Sequence, residues 1–374
     1  MAIKNIRSLA ELLIIREEWE RVYDSSALKS PTLKYEHIKL WYECFAQPEN
    51  IRVFKAMEAG QTIGHLPLVV RSRSGARVLT NLTNDHCLCG EALVRRGYEE
   101  AFKKIILDEI LKEPGWDILH HIFSYSFSKI YPLFPETLLN ERKNRWKMNI
   151  QPTYTVMLNK SFDEYFRKDL SSNLRKSLKQ SKNRLIKAGS YRFIHFEGDE
   201  AVEKWQDFLG IEDSGWKGKN GTSILKTAPE YRKYYDGLIR ILSATRDLHL
   251  YFLELDQKYV AAAFSFTAGD IFQCAKIGYD EEYQALSPAT MLLMHLMEDI
   301  QGRDGEIRRI HFFPYDDTGY KKRFANEEQQ FSEIIIYNNT LRGQSLYMLE
   351  NLKNEIIKHP SLKRIINKIY STVK

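Results

Sequence analysis

The sequence predicts an α/β fold with a mixed sheet, built from two similar halves. Residues 51–58 and 62–70 are two strand-like stretches joined by a short polar turn, which indicates a hairpin. Residues 248–255 and 259–267 repeat that pattern in the second half of the chain. A length of 374 residues also exceeds the usual size of one hydrophobic core, so two domains are expected.

The elements around the first hairpin alternate between helix and strand. Apolar residues at helical spacing predict helices at residues 8–23, 34–45 and 98–112. Short apolar stretches predict further strands at residues 76–82, 91–94 and 117–123. This order fits a mixed sheet with helices packed on it.

The second half repeats that order. Its predicted helices are residues 161–188, 199–212, 229–244 and 287–302. Its predicted strands, besides the hairpin, are residues 271–279, 307–313 and 331–337. Gly189 is expected to end the first of these helices. Basic helices, broken at Pro360, are predicted for the end of the chain; packing against the body is favoured over contact with a membrane surface.

The join between the halves is predicted near residues 140–153. We therefore expect an N-terminal domain at residues 1–150, a C-terminal domain at 151–340 and terminal helices at 341–374. The formal net charge of +6, from 55 basic and 49 acidic residues, does not by itself require a nucleic acid partner.

The cysteines and the N-terminus predict a soluble protein of the cytoplasm. Four cysteines in so long a chain do not indicate a disulfide framework. Cys87 and Cys89 follow His86, but no second pair at ligand spacing accompanies them, so no metal is expected. The first residues carry no secretory signal, and no apolar run approaches the length of a bilayer span.

The start of the predicted helix at 287–302 suits an anionic ligand. Ser287 is expected to cap the helix through its hydroxyl, and Pro288 suits the first turn. Ala289 and Thr290 complete a turn whose small residue leaves the backbone open to approach. Free N–H groups and the helix dipole there would bind a pyrophosphate. The alternative is a capped helix that binds nothing.

Three further stretches carry side chains suited to chemistry. The run 167–187, which includes Arg175, is rich in Arg and Lys, and it would contact an anionic ligand or form a solvated surface. Trp216 and Lys217 lie between glycines, which predicts a flexible loop. The Trp216 side chain would either contact a ligand or pack onto the core. Tyr320 would protonate a departing thiolate, and Lys321 would bind an anion; the alternative is a capped turn with a packed Tyr.

Candidate general bases are Asp85, His86 and Asp280, although a lone His or Asp is more often structural. The sequence has no G-x-S-x-G elbow, no phosphate-binding loop and no H-E-x-x-H motif. A group transfer that forms no covalent enzyme intermediate needs none of these, because positioning and an oxyanion donor supply most of its catalysis.

Four stretches together resemble a known family, and the resemblance covers most of residues 153–335. These stretches are Leu170-Ser171-Ser172-Asn173-Leu174-Arg175-Lys176-Ser177-Leu178 with Leu185 and Gly189; Ser214-Gly215-Trp216-Lys217; Val260-Ala261-Ala262-Ala263 through Gly278-Tyr279-Asp280 to Ser287-Pro288; and Gly319-Tyr320-Lys321 with Phe324. In their order and spacing they resemble the CelD-like acetyltransferases of bacterial polysaccharide gene clusters. That family is a branch of the GNAT superfamily related to the FemABX peptidyltransferases. The chain departs from it at Ala289, where Gly is frequent, and at His311, where Asp is frequent.

The resemblance implies tandem GNAT-like acyl-CoA N-acyltransferase domains, with the donor in the second half and the acceptor in the cleft between the halves. The donor would be acyl-CoA, with acetyl-CoA favoured, and the acceptor an amine or hydroxyl of a sugar, peptide or related metabolite in cell-envelope or polysaccharide biosynthesis. Two other classes stay open. One is a FemABX-like transferase that uses aminoacyl-tRNA, the only reading with a nucleic acid partner. The other is a non-catalytic binding module on a degenerate GNAT scaffold.

Overall fold

The computed structural model describes residues 2–84, 90–303, 307–312 and 319–358, which form one continuous mixed sheet with helices on both faces. The helices are α1 (Leu9–Ile14), α2 (Arg16–Ser25), α3 (Tyr35–Phe45), α4 (Glu99–Lys112), α5 (Glu136–Glu141), α6 (Phe162–Lys168), α7 (Ser172–Ala188), α8 (Gly198–Glu203), α9 (Trp205–Ser214), α10 (Trp216–Lys219), α11 (Pro229–Ser243), α12 (Pro288–Gly302) and α13 (Leu341–Lys358). The strands are β1 (Ala2–Ile6), β2 (Ile51–Glu58), β3 (Gln61–Arg73), β4 (Ala76–Asn81), β5 (Leu93–Val94), β6 (Ile118–Tyr125), β7 (Arg145–Met157), β8 (Tyr191–Glu197), β9 (Leu248–Leu255), β10 (Lys258–Ala268), β11 (Ile271–Tyr279), β12 (Arg309–Phe312) and β13 (Glu327–Tyr337).

The order of the strands confirms the predicted fold class. Across the sheet they lie as β1-β2-β3-β4-β6-β13-β7-β12-β11-β10-β9-β8, and β5 pairs with β3. Neighbours are antiparallel except for β4 with β6 and β11 with β12, which are parallel. A parallel neighbour requires a crossover, and α4 and α12 lie in the two crossovers. Each half therefore contains a hairpin, a third strand, a helix and a parallel strand, in that order.

The two predicted hairpins match in detail. The two central residues of each turn have positive φ, the backbone that suits the twist of a tight hairpin. The second strand of each hairpin carries a bulge at its third residue, Ile63 in β3 and Val260 in β10. These shared irregularities support an internal repeat more strongly than the apolar pattern alone.

The last strand of each half lies in the other half of the sheet. β7 follows β6 in the chain but pairs with β12, and β13 follows β12 but pairs with β6. The two exchanged strands pair with each other along the middle of the sheet, from Glu327 opposite Thr155 to Tyr337 opposite Arg145. The predicted boundary between residues 150 and 151 lies inside β7. The division into domains therefore stays a prediction.

One hydrophobic core joins the halves on one face of the sheet. It contains side chains of α1 to α3 from the first half and of α8, α9 and α11 from the second. Within it, His37 Nε2 of α3 lies 2.6 Å from the Tyr234 hydroxyl of α11. On the opposite face, α7 and α12 cover the second half and α4 covers the first. The shared core holds the two halves in one fixed arrangement.

The predicted helix at 161–188 is interrupted, and α6 and α7 replace it. Asp169, between them, accepts hydrogen bonds from Lys160 Nζ at 2.7 Å and Asn326 Nδ2 at 2.9 Å. Ser171 then caps the N-terminus of α7 with its hydroxyl. Strands β1, β7 and β8 were not predicted.

Helix α13 packs against the body through only part of its apolar surface. The ring of Tyr347 lies 5.1 Å from that of Tyr337 on β13. Leu349 and Leu352, which were expected to pack against the body, are exposed. Among the described residues, no helix combines the length and the apolarity that crossing a bilayer requires. Pro360 and the residues after it lie outside the described part of the chain.

Candidate functional site

Strand β11 parts from its parallel neighbour halfway along. In its pairing with β10, Ala275 is skipped and forms a bulge. Among the described residues, the pairing with β12 ends at Cys274 and Phe312, whereas β11 continues to Tyr279. Bulges commonly bend a strand next to an active site. The end of β11 therefore presents backbone on the side where β12 no longer accompanies it.

A cleft of about 540 Å³ lies beside this end of β11. Its walls come from the junction of α9 and α10, the end of β11, the start of α12 and the turn before β13. The lining residues are Glu212, Gly215, Trp216, Lys217, Ile277, Gly278, Tyr279, Gln284, Ser287, Pro288, Ala289, Thr290 and Tyr320. The structure thus brings together most of the side chains that the sequence analysis assigned to donor and substrate binding.

Helix α12 begins at the cleft, but its cap differs from the prediction. Ser287 makes no capping hydrogen bond with its side chain and adopts the left-handed backbone conformation, with φ 55° and ψ 49°. That conformation closes the preceding turn and directs the chain into the helix, which Pro288 begins as predicted. The first N–H groups of α12 consequently have no side-chain cap and are available to an anion.

Tyr320 faces the start of α12 across the cleft. Its hydroxyl lies 3.2 Å from that of Thr290, and its ring packs on Phe324 at 5.3 Å between centroids. Burial raises the pKa of Tyr320, opposed by the bond to Thr290. Tyr320 therefore keeps its proton at neutral pH, as a general acid must.

A buried charge cluster lies beside the cleft on the α9 side, and two of its members, Glu212 and Lys217, line the cleft. Glu212 is buried and lies 3.5 Å from Lys217 Nζ and 3.6 Å from Lys276 Nζ. It also accepts a hydrogen bond from the N–H of Ile224 at 2.8 Å. Burial lowers the pKa of Lys217, and burial together with the Lys217 charge lowers that of Lys276 to about 8. Two ammonium groups face one carboxylate, which favours an anionic ligand nearby.

The predicted flexible loop around Trp216 is instead the short helix α10. Gly215, before it, packs so closely on β11 that a Cβ would lie 2.8 Å from the carbonyl oxygen of Tyr279. Lys217 Nζ donates to the carbonyl oxygen of Ile277 at 3.2 Å and so ties α10 to the same strand. The Trp216 side chain, 52% exposed, lies at the rim of the cleft.

The other predicted site residues lie apart from the lining. Asp280 accepts a hydrogen bond from Lys258 Nζ at 2.9 Å and caps the 3-10 turn Glu281–Leu286. Arg175 donates to the backbone carbonyl of Leu170 at 2.7 Å, within the start of α7. Lys321 begins a 3-10 turn directly after Tyr320 but does not line the cleft. Asp85 and His86 lie outside the described residues, so their roles stay predictions.

The corresponding place in the first half is filled by a side chain. Asn81, the last residue of β4, donates from Nδ2 to the carbonyl oxygen of Ile122 at 3.0 Å. Its Oδ1 accepts from the N–H of Ile122 at 3.1 Å. These two bonds join the end of β4 to β6. At the corresponding position in the second half, the described pairing of β11 with β12 ends. In the described part of the chain, the end of β11 therefore has no partner on the β12 side, whereas Asn81 bridges the corresponding place in the first half.

No role was predicted for Glu212 or for the β11 residues of the lining. Gly278 was part of the matching stretch without a role, yet a Cβ there would lie 2.9 Å from Glu212 Cα, so glycine lets α9 approach. No local pattern marks Glu212, because α9 ends at Ser214 and the extended Gly215 breaks the helical spacing to Trp216 and Lys217.

Among the described residues, His195, Glu197 and His249 offer ligand atoms within 4.8 Å of one another. The guanidinium of Arg303 lies 2.8 Å from His195 Nδ1 and opposes a cation there. This group is separate from the cleft.

Comparison with known proteins agrees with this geometry. Residues 172–322 match a family model described as an acetyltransferase (GNAT) domain. No curated protein sequence gives a significant match. The crystal structure of FemX is similar, with a TM-score of 0.57 and 12% identity over 93% of this chain and 99% of that chain. The C-terminal DUF2156 domain of a proposed lysylphosphatidylglycerol synthetase from Agrobacterium fabrum has a TM-score of 0.54 and 13% identity, over 88% of this chain and 95% of that one. At such identities the likeness concerns the fold. The chain has a tandem GNAT-like fold, and its match to the GNAT domain lies in the second half.

Proposed function

We propose that the second half binds an acyl-CoA in the cleft beside β11 and transfers its acyl group to an amine or hydroxyl. The observation that supports this proposal is the presence of three features at one cleft: a helix start without a side-chain cap, the end of β11, which the described residues leave unpaired on the β12 side, and Tyr320. Pyrophosphate, pantetheine amides and thioester are the groups of coenzyme A that such features suit.

The charges around the cleft support an anionic donor. In the buried cluster beside the cleft, Lys217, which lines it, and Lys276 outnumber Glu212. On the outer side, Arg184 Nη2 of α7 lies 3.5 Å from the Ser287 hydroxyl at the start of α12. We propose that the N–H groups of Ala289 and Thr290 bind the pyrophosphate, with Arg184 nearby.

In the proposed reaction the nucleophile attacks the thioester carbonyl, a C–N or C–O bond forms, and the C–S bond breaks. The N–H groups near the bulge at Ala275 would stabilise the oxyanion, and the hydroxyl of Tyr320 would give its proton to the leaving thiolate. Cys274 is not proposed as a nucleophile, because burial raises the pKa of its thiol to about 11.

The substrates belong to the same proposal. Following the resemblance to the CelD-like family, the acyl group is acetyl and the acceptor is a sugar, a peptide or a related metabolite. The setting is cell-envelope or polysaccharide biosynthesis in the cytoplasm.

A second candidate donor is aminoacyl-tRNA, and one observation favours it. No acidic residue occurs from Leu170 to Gly189, and Lys176, Lys179 and Lys182 of α7 are exposed there. A basic surface beside a donor cleft suits a polyanion larger than coenzyme A.

Calorimetry separates the two donors. Titration with acetyl-CoA should give one site per chain, and gel retardation of tRNA should give no specific complex. Tight tRNA binding without acetyl-CoA binding would favour the second candidate. Neither response would favour a non-catalytic binding module. Mass spectrometry after incubation with acetyl-CoA and a panel of aminosugars and peptides would then identify the acceptor.

A further inference from the structure

A second, smaller pocket lies between the halves. Gln273 on β11 and His311 on β12 line it from the second half, and Glu91, Tyr125 and Phe127 line it from the first. We call this space of about 50 Å³ the central pocket. It contacts β11 before the bulge at Ala275, whereas the donor cleft contacts β11 after it.

Glu91 is buried in this pocket and only half satisfied. Its Oε1 accepts a hydrogen bond from the N–H of Tyr125 at 3.0 Å. Its Oε2 makes no hydrogen bond of good geometry in the described part of the chain, although the residue is only 8% exposed; the nearby Ser128 hydroxyl stabilises the charged form of the carboxyl. A buried carboxylate oxygen without a partner is costly, so a ligand or water is expected beside it.

His311 does not compete for the same ligand. Gln273 Nε2 donates to the carbonyl oxygen of His311 at 2.9 Å, which directs Gln273 Oε1 toward His311 Nδ1, also at 2.9 Å. His311 Nδ1 must then carry the hydrogen, and Nε2 accepts from the Thr153 hydroxyl at 2.9 Å. Burial lowers the pKa of His311 to about 3, so the ring stays neutral. Both ring nitrogens of His311 are therefore occupied, whereas Glu91 Oε2 can still accept a hydrogen bond from a ligand.

The pocket opens into a wider mouth of about 180 Å³, with which it shares Leu28, Phe127 and Ile271. The charged residues at the mouth are Glu99, Lys129, Asp270 and Arg309. Among the described residues, the lining of the central pocket contains no lysine or arginine.

We propose that the central pocket binds the primary amine of the acceptor, with Glu91 as the residue that holds the ammonium group and takes its proton. This inference rests on the proposed function and deepens it, because it makes the acceptor an amine. A carboxylate that lacks a cationic partner is best matched by a cation with N–H groups. The volume suits an ammonium group while the rest of the acceptor occupies the mouth.

The ammonium group gives one proton to Glu91 Oε2, and the free amine attacks the thioester carbonyl across the bulge. The C–N bond forms, the C–S bond breaks, and the thiolate takes the proton of Tyr320. The amide nitrogen gives up its second proton, which replaces the one that Tyr320 lost, and Glu91 returns its proton to solvent. Burial raises the pKa of Glu91 to about 7, against the Tyr125 N–H and the Ser128 hydroxyl, which suits a group that gains and loses a proton near neutral pH.

Carbon-13 NMR of protein labelled at the glutamate carboxyl carbons tests the proposal. Methylammonium chloride should shift the Glu91 resonance, identified by its loss in Glu91→Gln, and should lower its titration midpoint by at least one pH unit. Tetramethylammonium chloride has the same charge but no N–H group, and it should leave the resonance unchanged. Equal responses to both salts, or none, would overturn the proposal.

Two glutamate variants provide a second test of the amine site. Methylammonium affinity, measured by calorimetry, should fall at least tenfold in Glu91→Gln, which keeps an acceptor for the Tyr125 N–H, and should not change in Glu49→Gln at an exposed site. Undiminished affinity in Glu91→Gln contradicts the inference. Acetyl-CoA titration of the same wild-type sample reports the proposed function separately. If acetyl-CoA binds and methylammonium does not, only the inference about Glu91 fails. If methylammonium binds and acetyl-CoA does not, the proposed donor site fails and the amine site remains supported.

Discussion

The hydroxyl of Tyr320 lies 3.2 Å from the hydroxyl of Thr290, and this contact joins the segment before β13 to the first turn of α12. The proposed proton donor and the proposed pyrophosphate site are therefore linked directly. A change at Tyr320 can be separated from a change at the helix start, because Tyr320→Phe removes only a hydroxyl whereas Ala289→Trp adds a bulky ring.

Tyr320→Phe should retain donor binding and slow transfer. Only the hydroxyl is lost, so the affinity for acetyl-CoA should stay within about twofold, whereas loss of a general acid slows transfer by about 10² to 10⁴. Loss of the bond to Thr290 should lower the free energy of unfolding by about 1 kcal/mol. Calorimetry and an acceptor assay measure the two effects. An unchanged rate would remove Tyr320 from the chemistry.

Ala289→Trp should block the donor while leaving the fold intact. The bulky ring would fill the backbone approach at the first turn of α12, and the affinity for acetyl-CoA should fall at least about tenfold, or 1.4 kcal/mol. Ile14→Trp, at an exposed position on α1, is the matched control. If calorimetry finds undiminished binding to Ala289→Trp, the donor binds elsewhere.

Ser287→Gly should keep or raise stability, because the hydroxyl of Ser287 caps nothing and its backbone is left-handed. A non-glycine residue in that conformation costs about 1 to 2 kcal/mol, and the extra freedom of glycine in the unfolded chain offsets part of the gain. Urea unfolding should show a change between zero and about 1 kcal/mol in favour of glycine. Ser171→Ala, which removes the cap of α7, should instead cost about 1 kcal/mol. Equal losses in both variants would mean that Ser287 does cap α12.

Glu212→Gln should destabilise the protein by about 3 to 5 kcal/mol at neutral pH, because Lys217 and Lys276 lose their common carboxylate. The loss should shrink above the pKa of Lys276, about 8, where that side chain is neutral. Glu203→Gln, exposed on α8, is the control and should change little. Denaturant titrations at several pH values measure both variants. A loss that does not depend on pH would contradict the charge argument.

Glu91 should make wild-type stability fall as the pH rises from about 4.5 to 7. The folded protein raises the pKa of this carboxyl from 4.5 to about 7, so the folded state binds the proton more tightly than the unfolded state. That stabilisation is complete below the unfolded pKa and is lost as the pH rises through 7. The shift corresponds to up to about 3 kcal/mol. Glu91→Gln should therefore gain stability relative to wild type between pH 5 and 8; a constant difference would show that Glu91 does not titrate in this range.

The sequence predicted the repeated part of the fold because hairpins leave local signals. The strands around Ala59-Gly60 and Asp256-Gln257 alternate in a way that needs no tertiary information. β7 and β8 lack such signals: many side chains of β7 are half-exposed, and β8 lies at the edge of the sheet. Their strand conformation depends on pairing with strands that are distant in the sequence, and local β propensity does not reflect such pairing.

The parts of the candidate site that were predicted from the sequence are those in which one short segment supplies the functional groups. The start of α12 and Tyr320 are local patterns, and both line the cleft. Glu212 and Glu91 are single acidic residues whose significance depends on burial and on strands far away in the chain. The expected cap at Ser287 was wrong because the turn before it demands a left-handed residue, and that conformation removes the hydroxyl from the N–H groups.

The exchange of β7 and β13 bears on how this protein can be divided in the laboratory. A chain cut before β7 would yield one fragment without the strand that completes its sheet beside β6. Each fragment would expose an edge that only the other can cover. We expect the separate fragments to be insoluble and a mixture to reassemble, as in split-protein complementation, so a reporter fused to either fragment would read out their association.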